Sequence, residues 1–212
     1  MGGGVMTVSV ERGDVWTVTL NRPARANALS ANLVETLHAV LDQADRARPE
    51  ALVLRGNPRH FAAGFDLGGL EVETDASLTL RFLRIGLLLE RLLAAPYVTV
   101  AVAEGAAVGA GADLVLACDH RLVDPRVSLR FPGSAFGVAL GAVRRAELGD
   151  AQVTGRPSDL AFALRSTPPR PSHDGDAELA TLARSLAAPG LRDRIAAYAA
   201  ARTAARLTQE RA

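Results

Sequence analysis

VTVAVAEGAAVGAGADLVLACD, residues 98–119, decides how this chain folds. An apolar, β-branched run breaks into a Gly/Ala-rich turn that opens a helix. The first N–H groups of a helix have no internal partners and lie at the positive end of its dipole. Around Val108, Gly109, Ala110 and Gly111 such a turn can hold an oxygen that gains negative charge, and the small side chains let a ligand approach the backbone. Residues 60–67, HFAAGFDL, have the same form: the strand-like ALVLRG of residues 51–56, a short loop, then Ala-Ala-Gly ahead of a polar helix start. Two backbone donors from two such turns make an oxyanion hole.

The residues around these turns read as alternating strands and helices. In VSVERGDVWTVTL, Trp16, Val18 and Leu20 alternate with Val15, Thr17 and Thr19, which predicts a hairpin turning at Arg12-Gly13-Asp14. From Ser30, a candidate N-cap, the apolar spacing becomes helical (Leu33, Val34, Leu37, Val40, Leu41) for about three turns, with Pro49 beyond the end. Residues 51–56 form a short buried strand, 78–94 a helix with Leu83, Leu87, Leu88 and Leu92 on one side, and 98–103 another strand. Past Gly141 the character changes. Residues 149–176 are interrupted by Pro157, Pro168, Pro169 and Pro171, leaving one short helix over 159–165, and Ala/Arg-rich helices follow over 177–188 and 191–207. This predicts an α/β core over 1–148, a Pro-rich connecting segment over 149–176 and a helical region over 177–212.

Composition sets limits on function. The 212 residues, 49% hydrophobic, suffice for one sizeable core. With 24 basic and 23 acidic residues the net charge is +1, so no global field draws the chain to nucleic acid or to an anionic membrane. All basic residues are arginine, a bias that genome base composition explains, and each guanidinium can still pair with a phosphate. Cys118 is the only cysteine, which rules out an internal disulfide and a cysteine metal site and fits an intracellular setting. The opening MGGGVM has neither a charged nor an apolar leader region, and no apolar run is long enough for a membrane, so the expected location is cytoplasmic.

Three blocks, LNRPARANALS (20–30), HFAAGFDL (60–67) and AEGAAVGAGADLVLACDHRLV (103–123), match in order and spacing the signature blocks of the crotonase superfamily, which includes the enoyl-CoA hydratases and isomerases. The similarity runs from about Val8 to about Gly141, and the chain resembles a divergent, shortened member. The resemblance implies a crotonase-like spiral of ββα units with a shortened C-terminal helical region. It also implies an acyl-CoA thioester as ligand, with coenzyme A part of the substrate and no separate cofactor or metal, and a homotrimer or hexamer. One helix that relatives carry is expected to be missing between Asp150 and Thr154.

By the same resemblance the oxyanion donors are the amides of Phe65 and Ala110, with Gly109 beside the second. Most relatives have Ala where Phe65 stands, so the ring reshapes the acyl pocket. The coenzyme A loop maps to Arg22, Arg25, Ala26 and Leu29, and the turn that follows to Ala62, Ala63, Phe65, Asp66, Leu67 and Gly68. Arg22 and Arg25 are candidates for phosphate or adenine contacts. Hydration in the family uses two glutamates. The first aligns with Asp113; the second falls in a Pro-Glu pair, where this chain has Pro132-Gly133 and no carboxylate between Asp124 and Glu147. Two-glutamate hydration is therefore not expected, and a non-catalytic acyl-CoA-binding or accessory role is the competing class.

The remaining polar residues are weaker candidates. Ser134 reads as turn chemistry, His60 as loop placement, and His38 and His173 have no partner spacing. Asp66 is a candidate N-cap for the next helix, and Asp119 with Arg121 a candidate ion pair. No HExxH, Walker, G-x-S-x-G or dinucleotide motif is present.

Overall fold

A computed structural model describes residues 6–167, 170 and 172–209. Met1 to Val5, Pro168, Pro169, Pro171 and the last three residues lie outside the described part, and with them part of the leader and Pro-rich readings.

Strands β1 (Val8–Glu11) and β2 (Val15–Leu20) form the expected antiparallel hairpin, with Val10 opposite Val18. The alternation in β2 turns Trp16, Val18 and Leu20 into the core. Helix α1 (Ala31–Ala47) is capped by Ser30, whose hydroxyl accepts from the Leu33 amide at 3.2 Å. Its 17 residues run nearly five turns, beyond the three expected, because Ala44 extends the buried stripe before Arg48 takes a left-handed conformation.

Strands β3 (Ala51–Arg55), β5 (Val98–Ala103) and β7 (His120–Val123) continue the sheet in parallel, in the order β1-β2-β3-β5-β7. A parallel sheet is covered on both faces, so these strands read as apolar runs rather than alternations. A smaller parallel sheet holds β4 (His60–Ala62), β6 (Ala106–Val108) and β8 (Leu129–Arg130) in that order. Helices α2 (Asp75–Leu93), α3 (Ala110–Leu116) and α4 (Ala142–Leu148) complete three repeats, β3-β4-α2, β5-β6-α3 and β7-β8-α4. Each repeat gives one strand to each sheet, which is the expected ββα spiral.

Helix α2 starts three residues ahead of the sequence expectation because Thr74 and Ser77 form a reciprocal cap, at 3.1 Å and 2.9 Å. Its buried face is Leu78, Phe82, Ile85, Leu88, Leu89 and Leu92, whereas Leu87, expected on the apolar side, is 40% exposed.

No helix lies between Asp150 and Thr154, as expected; instead the chain runs along the edge of β7, where Thr154 N donates to Arg121 O and Val123 N to Gly155 O, both at 3.0 Å. The short helix expected over 159–165 is a 3-10 turn (Pro157–Asp159) followed by α5 (Leu160–Ala163), and Ala163 closes a small apolar cluster with Val53, Val100, Val102 and Leu122. Helices α6 (Gly175–Leu186) and α7 (Leu191–Gln209) follow. Leu182, Leu186, Leu191 and Ile195 join the main core. Among the described residues no helix is long and apolar enough to cross a membrane.

Candidate active site

The two Gly/Ala turns meet. Gly64, at φ +85°, and Gly109, at φ +53°, take backbone conformations that side chains rarely adopt. A methyl group at Gly64 would fall 2.5 Å from Val108 O and 3.3 Å from the Ala110 nitrogen, so the turns touch only because that methyl is absent.

The first loop fixes one turn. Leu29 N donates to Gly64 O at 2.7 Å, Asp66 N to Leu29 O at 3.2 Å, and Ala63 N to Ala26 O at 2.9 Å. In this strand-like pairing residues 64 and 66 face Leu29, which turns the Phe65 N–H the other way. Buried Asn27 secures the loop: its side-chain amide donates to the carbonyls of His60 and Phe61, both at 3.1 Å, and its oxygen accepts from Arg22 N at 2.8 Å. Sequence reading passed over Asn27, although a left-handed asparagine in such a loop is a recognisable signal; its φ is +55°. Gly109 N donates to Arg130 O at 2.7 Å, anchoring the second turn to β8. Among the described residues neither Phe65 N nor Ala110 N has a hydrogen-bond partner.

Both turns border a narrow cleft of about 50 Å³, lined also by Leu67, Phe82, Asp113, Gly133, Phe136 and Arg145. The Phe65 ring stacks on Phe82 at 4.2 Å between centroids, with the Arg81 guanidinium 4.2 Å from its ring centre. Tyr198 and Arg202 of α7 also line the cleft. An open groove of about 600 Å³ shares Ala63, Phe65, Leu67 and Arg202 with the cleft and continues past Arg25, Asp66 and Gly68.

Asp113, 4% exposed, is the carboxylate on the cleft wall. Its Oδ1 accepts from Arg145 Nη1, which also donates to Leu140 O at 2.8 Å, and the guanidinium lies 4.7 Å from the Phe131 ring centre. Burial outweighs the attraction of Arg145 and raises the Asp113 pKa to about 7.

Of the residues expected to bind coenzyme A, Ala62 is buried beneath the turn while Ala63, Phe65, Asp66, Leu67 and Gly68 border the groove. Arg22 and Arg25 are not free cations: Asp66 takes both, at 3.0 Å and 3.1 Å. Asp66 also accepts from Gly68 N at 3.0 Å and caps no helix. Burial disfavours its charge, but these donors prevail and lower its pKa. Arg25 remains half exposed beside the groove, and Arg202, missed in the sequence because nothing local marks it, is a second cation lining it. The Asp119–Arg121 pair does not form; Asp119 pairs with Arg170 at 2.7 Å, and Arg121 donates to the carbonyls of Cys118, Asp119, Ala151 and Gln152. Ser134 is exposed, and its carbonyl accepts from Gly137 N at 3.2 Å, as turn chemistry requires. His173 does have partners, Glu147 at 2.9 Å and Glu90 at 3.1 Å.

A family model described as enoyl-CoA hydratase/isomerase matches residues 11–148. A probable enoyl-CoA hydratase, echA6, of Mycobacterium tuberculosis is 38% identical over 126 residues, which are 59% of this chain and 50% of the relative. An ethylmalonyl-CoA decarboxylase of Homo sapiens is 29% identical over 140 residues, 64% of this chain and 45% of that protein. The chain thus spans about half the length of the curated relatives it matches. A solved structure from Bordetella parapertussis, assigned to the same hydratase/isomerase class, superposes with a TM-score of 0.85 at 34% identity, covering 92% of this chain and 99% of the other.

Proposed function

Because the chain belongs to the enoyl-CoA hydratase/isomerase family, we propose that it binds an acyl-CoA thioester with the carbonyl oxygen on the amides of Phe65 and Ala110 and stabilises the thioester enolate. The observation that carries this reading is the meeting of two unpartnered amides at one apolar cleft. Donors aimed where negative charge develops, in a site closed to water, are among the strongest catalytic devices available. The acyl group would occupy the cleft, and coenzyme A the open groove between Arg25 and Arg202. Asp113, held near neutrality, would exchange the proton at the α-carbon. An assembly of three or six copies in the cytoplasm belongs to the same proposal.

Two-carboxylate hydration is not part of it, since Gly133 lines the cleft at the position where the family resemblance implies the second glutamate. Decarboxylation, the activity in the human relative's name, leaves an enolate without a base and needs only the two amides and a proton donor. The same Gly133 favours the second reading, an acyl-CoA-binding protein without turnover. A thermal-shift screen of CoA thioesters, followed by turnover assays on the binders, separates them. Ligand binding raises the melting temperature by mass action. Binding with turnover of crotonyl-CoA at least about a hundredfold below an intact hydratase is expected. Hydration at an intact enzyme's rate would contradict the reading.

A further inference from the structure

The cleft carries a cation that the groove does not share. Arg145 of α4 lines the cleft alone, whereas Arg202 lines both. The cleft lining thus holds two guanidiniums and one carboxylate, Asp113, and its remaining side chains, Tyr198 aside, are apolar. The Arg145 side chain is 24% exposed, withdrawn from bulk water without being sealed off. Its Nη1 is engaged, by Asp113 Oδ1 at 2.5 Å and Leu140 O at 2.8 Å, and the Phe131 ring centre lies 4.7 Å from the guanidinium. Its Nε and Nη2 are not engaged: among the described residues neither has a hydrogen-bond partner, and neither is shut away from solvent. These two nitrogens share one edge of the planar guanidinium, the edge that takes a carboxylate side-on through two parallel hydrogen bonds. Asp113 offsets the Arg145 charge only in part, because burial raises its pKa to about 7.

We propose that the cleft selects a short acyl-CoA thioester whose acyl group ends in a carboxylate, and that Arg145 is the specificity-determining residue, taking that carboxylate through Nε and Nη2. In the proposed site the coenzyme A phosphates lie in the groove, which Arg145 does not line, so an anion for Arg145 arrives with the acyl group. The protein brings none of its own from the neighbouring turn: Pro132 and Gly133, which follow Phe131 on the cleft wall, carry no charge. An arginine with one nitrogen already fixed by Asp113 and Leu140 presents its open edge in a set orientation, which a lysine ammonium would not do. The cleft, at about 50 Å³, has room for only a few heavy atoms, so the acyl group is of malonyl or succinyl length. The inference rests on the acyl-thioester reading and adds to it the charge at the far end of the acyl group.

The test compares dissociation constants, by calorimetry, within two matched pairs: malonyl-CoA with 3-methylbutanoyl-CoA, and succinyl-CoA with 4-methylpentanoyl-CoA. In each pair an isopropyl group replaces the carboxylate at nearly the same size. In at least one pair the carboxylate-bearing member should bind at least about tenfold tighter, the worth of one charge-assisted contact. Arg145→Met should bring that ratio to about one, whatever it does to the absolute affinities. Arg145→Lys, which keeps the charge and loses the edge, should give a ratio in between. Equal binding within both pairs by the unmodified chain overturns the inference and leaves the acyl-thioester reading standing, whereas no binding by any of the four removes both. A ratio that survives in Arg145→Met overturns it as well, since the carboxylate would then be held by another group. If circular dichroism shows that Arg145→Met does not fold, Arg145→Lys decides: an undiminished ratio overturns the assignment to the Arg145 edge.

Discussion

In the proposed site Asp113 supplies the carboxylate, with one methylene less of reach than the glutamate that the family resemblance implies there. It sits one turn past the Ala110 amide with a pKa raised to about 7 by burial, a value suited to giving or taking a proton at neutral pH. Asp113→Asn should therefore cut any turnover at least about a hundredfold while leaving thioester affinity, measured by calorimetry, within a few-fold. Restoring the second carboxylate is harder. Gly133 has no positive φ, but a Cβ there would stand 2.8 Å from Val138 O, whose residue closes the turn by donating to Gly133 O at 3.0 Å. Gly133→Glu should thus lower the melting temperature and fail to raise hydratase activity. A gain in activity with an unchanged melting temperature would show that the turn yields at no cost. In the proposed site Phe65 would act through its backbone at one end and its ring at the other. Phe65→Ala keeps the amide but loses the stack on Phe82 and Arg81, costing roughly 2 kcal/mol of stability. It should also shift binding toward bulkier acyl chains across a CoA thioester series.

The elements nearest the site were the most legible, because glycine at a positive φ and a capped helix start are local events that leave local marks. The strand-turn-helix of residues 98–119 and the hairpin of β1 and β2 formed where the pattern placed them. What escaped was set by partners distant in sequence: Asp66 gathers Arg22 and Arg25 across more than forty residues, and Arg202 reaches the groove from α7. His173 is the plainest case, since its two glutamates lie on α2 and α4 and no spacing announces them. Burial works against its protonation, but the hydrogen bonds to Glu147 and Glu90 and their charges prevail, raising its pKa. A histidine raised in the folded state stabilises the fold fully below the unfolded value of about 6.5 and loses that contribution as pH rises through the folded value. The attachment of α6 to α2 and α4 should weaken accordingly. Raising the pH from about 6 to about 8 should lower the melting temperature more in the unmodified chain than in His173→Asn. Asp113 adds a slope of the same sign to both proteins, so the difference between them isolates the histidine.

At the scale of the whole molecule the spiral brings three βα junctions to one end, where the cleft forms, and leaves apolar side chains elsewhere in water. Val72 is 81% exposed, Phe162 72% and Leu80 60%. Such side chains fit the proposed self-association, and light scattering at micromolar concentration should give the mass of three or six chains. A monomer would remove that inference and leave the site untouched. In the proposed function, two unpartnered amides and one apolar cleft form a thioester site. Isothermal calorimetry tests it most directly, with saturated and unsaturated CoA thioesters of short and long chain and free coenzyme A as reference. Saturable heat with at least one thioester, tighter than with coenzyme A, is the predicted result; no heat with any of them, from folded protein, would contradict it.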